Sequence, residues 1–319
     1  MSKPIEDKLD KIPVLNLVVR FFKQIKLPGF KGLSIYDLLE LYILGIVKGA
    51  LTTRASAIAF NFFTAIFPFL LFVIILIPNI PIVDFQERFL DFLNSFLPPQ
   101  TSEFFLSNIF ENIEGTERGG LLSSVFLLSM LLMANGVNAV FSGFEISYHE
   151  QISRNVFHQY LYALGVALIL AILVLLTVAV FGYFQIYIIR PLYESFTGQE
   201  ALESASGLGW IIFAKYMFFV LMVYLATATL YFFGTKEGRH TRFFSVGALL
   251  TTLLIILTSY LFGVYIENFS KYNELYGSIG GLLILLLYLW LNSNILLLGY
   301  ELNASLLYLK KYPKADLED

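Results

Sequence analysis

The sequence predicts an all-α integral membrane protein: a helical bundle with about six transmembrane helices plus amphipathic interfacial helices. Three observations carry this. Of 319 residues, 57% are hydrophobic and only 14% charged, against roughly 25% charged in a soluble domain. Six apolar stretches each provide the roughly 20 residues that a helix needs to cross about 30 Å of hydrocarbon. With those stretches taken as spans, the basic residues between them collect on one side.

Residues 1–54 hold nine Lys or Arg and no short apolar run ending in a small-residue cleavage site, so the segment is expected to stay in the cytoplasm. Its stretch from Ile35 to Leu51 is amphipathic and, with the lysines before it, suits the anionic inner leaflet, either functionally or as a simple anchor. The first span, Ala55 to Ile77, is entered after Arg54 and carries Pro68 near mid-depth, where a missing N–H should loosen the helix ladder and produce a kink. The second runs from Leu121 to Phe144. The third, from Gln159 to Tyr187, ends before Arg190 and Pro191. The last three cover Leu208 to Phe233, Phe243 to Ile266 and Ser278 to Leu309. The chain thus divides into a basic N-terminal segment (1–54), a six-helix membrane domain (55–309) and a short tail (310–319).

Orientation follows from the cations. Of the 21 Lys and Arg, sixteen fall in segments on the N-terminal side, four (Arg88, Arg118, Arg190, Lys271) on the other, and Lys215 within a span. Both termini are therefore expected in the cytoplasm. The external segment 79–120 carries seven acids among Phe and Leu at spacings of three and four. It reads as short amphipathic helices on the outer face, either a packing cap or an element of gating or ligand selection.

Ionisable or amide groups inside a span must find a partner or water, so each is a candidate site. Arg54, Glu145 and Glu301 all fall near the cytoplasmic face; Arg54 could clasp either acid, or the group could belong to a transport path. Lys215 lies inward of the outer end of the fourth span, placed to snorkel outward or to hold an anion. Asn135 and Asn138 share one face of the second span, and Asn292 and Asn294 reach a similar depth in the sixth. They are either interhelical glue or the lining of a mid-depth polar cavity. Gly277, Gly280 and Gly281 open the sixth span with a small face suited to close packing. No internal repeat is visible.

With no cysteine in the chain, disulfides, thiol catalysis and cysteine-held metals are excluded. His149, His158 and His240 lack paired zinc spacing. No cofactor, metal or enzymatic activity is expected. A nuclease would need acidic ligands beside a basic groove, and no nucleic-acid partner is expected.

The run Tyr276-Gly277-Ser278-Ile279-Gly280-Gly281, then Leu289-Trp290-Leu291 and Leu297-Leu298-Gly299-Tyr300-Glu301-Leu302-Asn303-Ala304, resembles the signature of the YihY/BrkB family, long mislabelled ribonuclease BN. Tyr300 stands where that family usually has alanine. Arg54-Ala55-Ser56-Ala57 and Phe67-Pro68 are similar to its first span, with weaker likeness at Asn135-Gly136-Val137-Asn138 and Gly247-Ala248. Phe233-Gly234 replaces a common proline. The resemblance spans about residues 45–305. It implies a six-helix protein of the bacterial inner membrane, with links to serum resistance and envelope lipid export, and brings Asn303 among the candidate polar residues. The functional expectation is a transporter, flippase or exporter of a lipid or other amphiphile, with membrane lipids as partners. The alternative is a non-enzymatic scaffold or accessory subunit.

Overall fold

The computed structural model describes residues 21–26, 34–36, 38, 39, 43, 50–76, 118–145, 155–184, 201–234, 242–269 and 278–311. Six long helices dominate: α1 (Leu51–Leu76), α2 (Arg118–Glu145), α3 (Val156–Tyr183), α4 (Ala201–Gly234), α5 (Val246–Phe269) and α6 (Ser278–Lys311). All six contain a stretch long and apolar enough to cross a membrane, and each coincides with one expected span. The expected external helices before Arg118, the Arg190-Pro191 break and Gly277 lie outside the described residues.

Helix ends are set by local chemistry. Ala50 adopts φ 47° just before α1, and its carbonyl accepts the Thr53 and Arg54 amides at 3.1 and 3.3 Å. Asn155 enters α3 in extended conformation, its carbonyl accepting Gln159 N at 2.9 Å. Pro68 sits inside α1, which continues through it; the Ser129 hydroxyl of α2 donates to the Pro68 carbonyl at 2.6 Å. In a membrane, a proline in a span is tolerated where neighbouring helices supply such compensating bonds.

The helices alternate in direction and close into a ring, each packing on its chain neighbours and α6 returning to α1, with α2 also touching α4 and α6. The starts of α1, α3 and α5 and the ends of α2, α4 and α6 therefore share one end of the bundle, here termed basal. The core lies there. The largest fully buried side chains, Phe141, Phe144, Ile58, Leu297, Glu301, Val137, Val140, Thr251 and Thr252, all belong to the basal halves.

Lipid is as apolar as leucine, so association rests on close packing rather than on removal of apolar surface from water. The distribution of side chains agrees. Ala55, Ala59, Ala134, Ala163, Ala167, Ala228 and Ala248 are buried, whereas large residues such as Leu127, Ile172, Trp210, Tyr260 and Leu261 are exposed. The closest approach joins α5 to α6. A Cβ on Gly247 would collide with the Gly299 carbonyl oxygen, and one on Gly299 with the Thr251 hydroxyl. Gly280 and Gly281, singled out in the sequence for close packing, are buried at the start of α6.

These glycines separate two outcomes. Gly247→Ala or Gly299→Ala should lower stability by about 3 kcal/mol, since overpacking here meets backbone and a fixed hydroxyl rather than a yielding side chain. Gly165→Ala and Gly263→Ala, where nothing lies within 4 Å of the added carbon, should be neutral or stabilising by up to about 1 kcal/mol. Thermal unfolding of the four variants in detergent checks this.

Candidate functional site

The basal end gathers most of the candidate polar residues. Arg54 lies in the first turn of α1 and points inward, 5% exposed. Its Nη1 donates to the Gly143 carbonyl near the end of α2 at 2.7 Å. Its Nη2 donates to Oε1 of Glu301 on α6 at 2.9 Å. Glu301 is 0% exposed, so this pair has no solvent screening. Stripping water from two such ions costs several kcal/mol each, and mutual attraction with the Gly143 bond offsets that cost. Of the two acids that the sequence offered to Arg54, Glu301 is the partner. Glu145 is half-buried at the end of α2. The Arg54 Nε is buried without a hydrogen-bond partner.

Beside the pair, three rings from three helices lock together. Phe144 stacks on Tyr300 with centroids 4.0 Å apart, and Tyr231 meets both edgewise at 5.6 and 5.9 Å. Tyr300, the departure noted in the motif, thus joins α2, α4 and α6. The Tyr231 hydroxyl donates to the Leu296 carbonyl at 2.6 Å, so the Thr251 hydroxyl, 2.5 Å away, donates to Tyr231. Gly234 ends α4 against this cluster, with an added Cβ 2.5 Å from Phe144 Cδ2.

Asn303 serves a helix end. Its Oδ1 accepts Gly247 N at 2.8 Å and its Nδ2 donates to the Ser245 hydroxyl at 2.9 Å. Ser245 in turn accepts Ala248 N at 3.2 Å. Asn303 of α6 and Ser245, just ahead of α5, therefore satisfy two of the first amides of α5, which have no partner within their own helix.

The remaining amides are more local. Asn292 and Asn294 each donate to their own helix, at Tyr288 O and Trp290 O, 2.8 and 2.7 Å; Asn292 Oδ1 is buried without a partner. Asn135 is exposed and faces α3, where the Tyr160 hydroxyl reaches its Oδ1 at 3.1 Å and the Leu131 carbonyl at 3.3 Å. Asn138 is half-buried. Lys215 stands apart on α4, its Nζ 4.9 Å above the Phe181 ring of α3. Among the described residues, no three of His, Cys, Asp or Glu gather as metal ligands.

The half of the bundle opposite the basal end is built differently. On α4, Phe213, Ala214, Tyr216, Met217, Phe219 and Leu221 are all exposed. At about 100° per residue these form one broad arc of roughly 220°, with the half-buried Lys215 and Phe218 in the remainder and no described side chain from 209 to 221 buried. Two turns on, Thr227 to Tyr231 are buried without interruption. The distal halves meet as sequential pairs: Ser259 with Tyr288 at 2.7 Å between α5 and α6, Phe181 with Phe219 at 5.9 Å between α3 and α4, and Ser129 with Pro68 between α2 and α1.

Comparison with known proteins follows this geometry. The family described as Virulence factor BrkB matches residues 45–318. A ribonuclease-like protein, YfkH of Bacillus subtilis, is 28% identical over 265 residues, 82% of this chain and 92% of its own. A UPF0761 membrane protein of Xanthomonas oryzae is 39% identical over 69 residues, 22% of this chain and 16% of its own. Another from Xanthomonas campestris is 30% identical over 125 residues, 39% and 27% respectively. No solved structure matches.

The ion pair makes a sharp expectation. Glu301→Ala or Arg54→Ala alone should cost about 3–5 kcal/mol, each leaving a buried charge uncompensated. Arg54→Met combined with Glu301→Leu should recover most of that loss, while Glu145→Ala should cost about 1 kcal/mol or less as a partly solvated group. Thermal unfolding in detergent reads all four variants.

Proposed function

The chain belongs to the BrkB family, and from that premise we propose that this multi-pass membrane protein is a non-enzymatic carrier or flippase for a lipid or other amphiphile. In this reading the described conformation is shut at the basal end and open between the distal halves. The supporting observation is α4, where no described side chain from 209 to 221 is buried while Thr227 to Tyr231 are buried without interruption. A helix packed against its neighbours along its whole length would keep a buried stripe over these turns as well. The opened surface is aromatic and apolar, with Lys215 as its polar feature, which suits a molecule with tails and a small polar group. The basal end is taken as cytoplasmic and the membrane as the bacterial inner membrane, because sixteen of 21 Lys and Arg fall on that side.

A scaffold or accessory role is the second reading. It draws on the basal end, where Arg54, Glu301 and Asn303 all find protein partners and need no substrate to satisfy them. The nuclease activity in the name of the Bacillus relative gains little here: a hydrolytic centre needs carboxylates free to bind a metal or activate water, and Glu301 is engaged by Arg54.

Reconstitution in liposomes with fluorescent phospholipids decides between carrier and scaffold. The expected result is lipid movement across the bilayer that Lys215→Ala reduces at least tenfold while leaving thermal unfolding unchanged. Absence of movement in folded wild-type protein would replace the carrier reading with the scaffold.

A further inference from the structure

Ahead of α1 the described residues form a small, fixed unit. Phe21 to Gln24 make a helical turn, and Lys26 pairs with Ser34 in an antiparallel bridge. Ile35 N donates to the Ile25 carbonyl at 3.0 Å. Lys23 Nζ lies 4.8 Å above the Tyr36 ring. Ser34 and Tyr36 are buried.

The exposed part of this unit has mixed chemistry. Phe21 is 59% and Ile25 38% exposed; Phe22 packs edgewise on Phe21 at 5.7 Å. Lys23, Gln24 and Lys26 are exposed beside them. Exposed Phe and Ile are unfavourable in water, and adjacent lysines are unfavourable in hydrocarbon. The combination matches one environment, the boundary between headgroups and acyl chains, where apolar groups dip a few ångströms inward and cations meet anionic phosphates.

Position selects the same partner. Residues 37–50 are too few to cross the bilayer, and α1 begins its apolar stretch at Leu51. The unit therefore lies on the basal side of the membrane.

We propose that residues 21–26 form a fixed contact with the anionic leaflet on the basal side, Phe21 and Ile25 inserting between lipids while Lys23 and Lys26 engage phosphates. This rests on the membrane-spanning reading of α1, not on carrier activity. It gives the bundle a lipid-sensing foot covalently continuous with the helix that carries Arg54.

The chain has no cysteine, so a single introduced cysteine accepts a nitroxide label without background. Full-length protein labelled at Phe21→Cys, Ile25→Cys, Gln24→Cys or Leu257→Cys is placed in vesicles of phosphatidylethanolamine and phosphatidylglycerol, and collision with oxygen or an aqueous nickel chelate is compared. The expected result is a several-fold oxygen preference at positions 21 and 25 relative to 24, reduced by Lys23→Ala with Lys26→Ala or by replacing phosphatidylglycerol with phosphatidylcholine. Nickel access at both 21 and 25, or shielding from both relaxants by protein, overturns the contact when Leu257→Cys on the exposed face of α5 still reports lipid. An aqueous signal at Leu257 overturns the spanning reading itself.

Discussion

A guanidinium that joins three helices organises the basal end of this bundle. Arg54 begins α1, bonds the backbone of α2 and neutralises a carboxylate of α6, so the ring is fastened where its first and last helices meet. In a solvent that offers no hydrogen bonds, an ion pair of this kind is less a source of net stability than a constraint: neither partner tolerates being elsewhere. Every arrangement that separates α1 from α6 breaks this pair and leaves two charges to be satisfied elsewhere. The rings of Phe144, Tyr231 and Tyr300 and the crossing of Gly247 on Gly299 fill the space around that constraint.

The same logic explains why the helices pack through alanine and glycine. Burying a leucine between two helices gains little when lipid would have solvated it equally well. Small side chains instead bring backbones near enough for dispersion contacts and for hydroxyls to reach neighbouring carbonyls, as Tyr231 does on Leu296 and Ser129 on Pro68. The result is a core made of modest residues and a surface made of large ones, the reverse of a water-soluble domain.

The spans were legible because crossing hydrocarbon imposes a length and an evenness of hydropathy that nothing else in a sequence imitates. That Arg54 would pair near one membrane face was legible too, since depth follows from topology. Which acid it chose was not: Glu145 and Glu301 fall at similar depth, and only the rotation of α2 and α6 selects the latter. Gly247 and Gly299 looked like any other glycines, because close approach is a property of two helices at once. Asn303 reads as one more polar residue in a span until Ser245 and the open start of α5 are beside it. Asn292 and Asn294, grouped by depth with Asn135, turn back to their own helix.

Alternating access sets an energetic requirement on this architecture. A carrier must at some point open the end that is now closed, which means parting α1 from α6 or rotating one past the other. Removing one partner of a buried pair costs about 3–5 kcal/mol, and driving a two-state equilibrium from one per cent to ninety-nine takes about 5.5 kcal/mol of differential affinity. A substrate in the distal cleft could supply that only through contacts that strengthen on closure, so cleft and pair must be mechanically coupled through α4 and α6. In the carrier reading Tyr231 would supply such a link, since it lies on α4 and its hydroxyl reaches the Leu296 carbonyl of α6. A scaffold has no such requirement and leaves the pair permanently intact. The two readings therefore differ in a physical property of the basal end: whether Arg54 and Glu301 stay together when the distal cleft is filled.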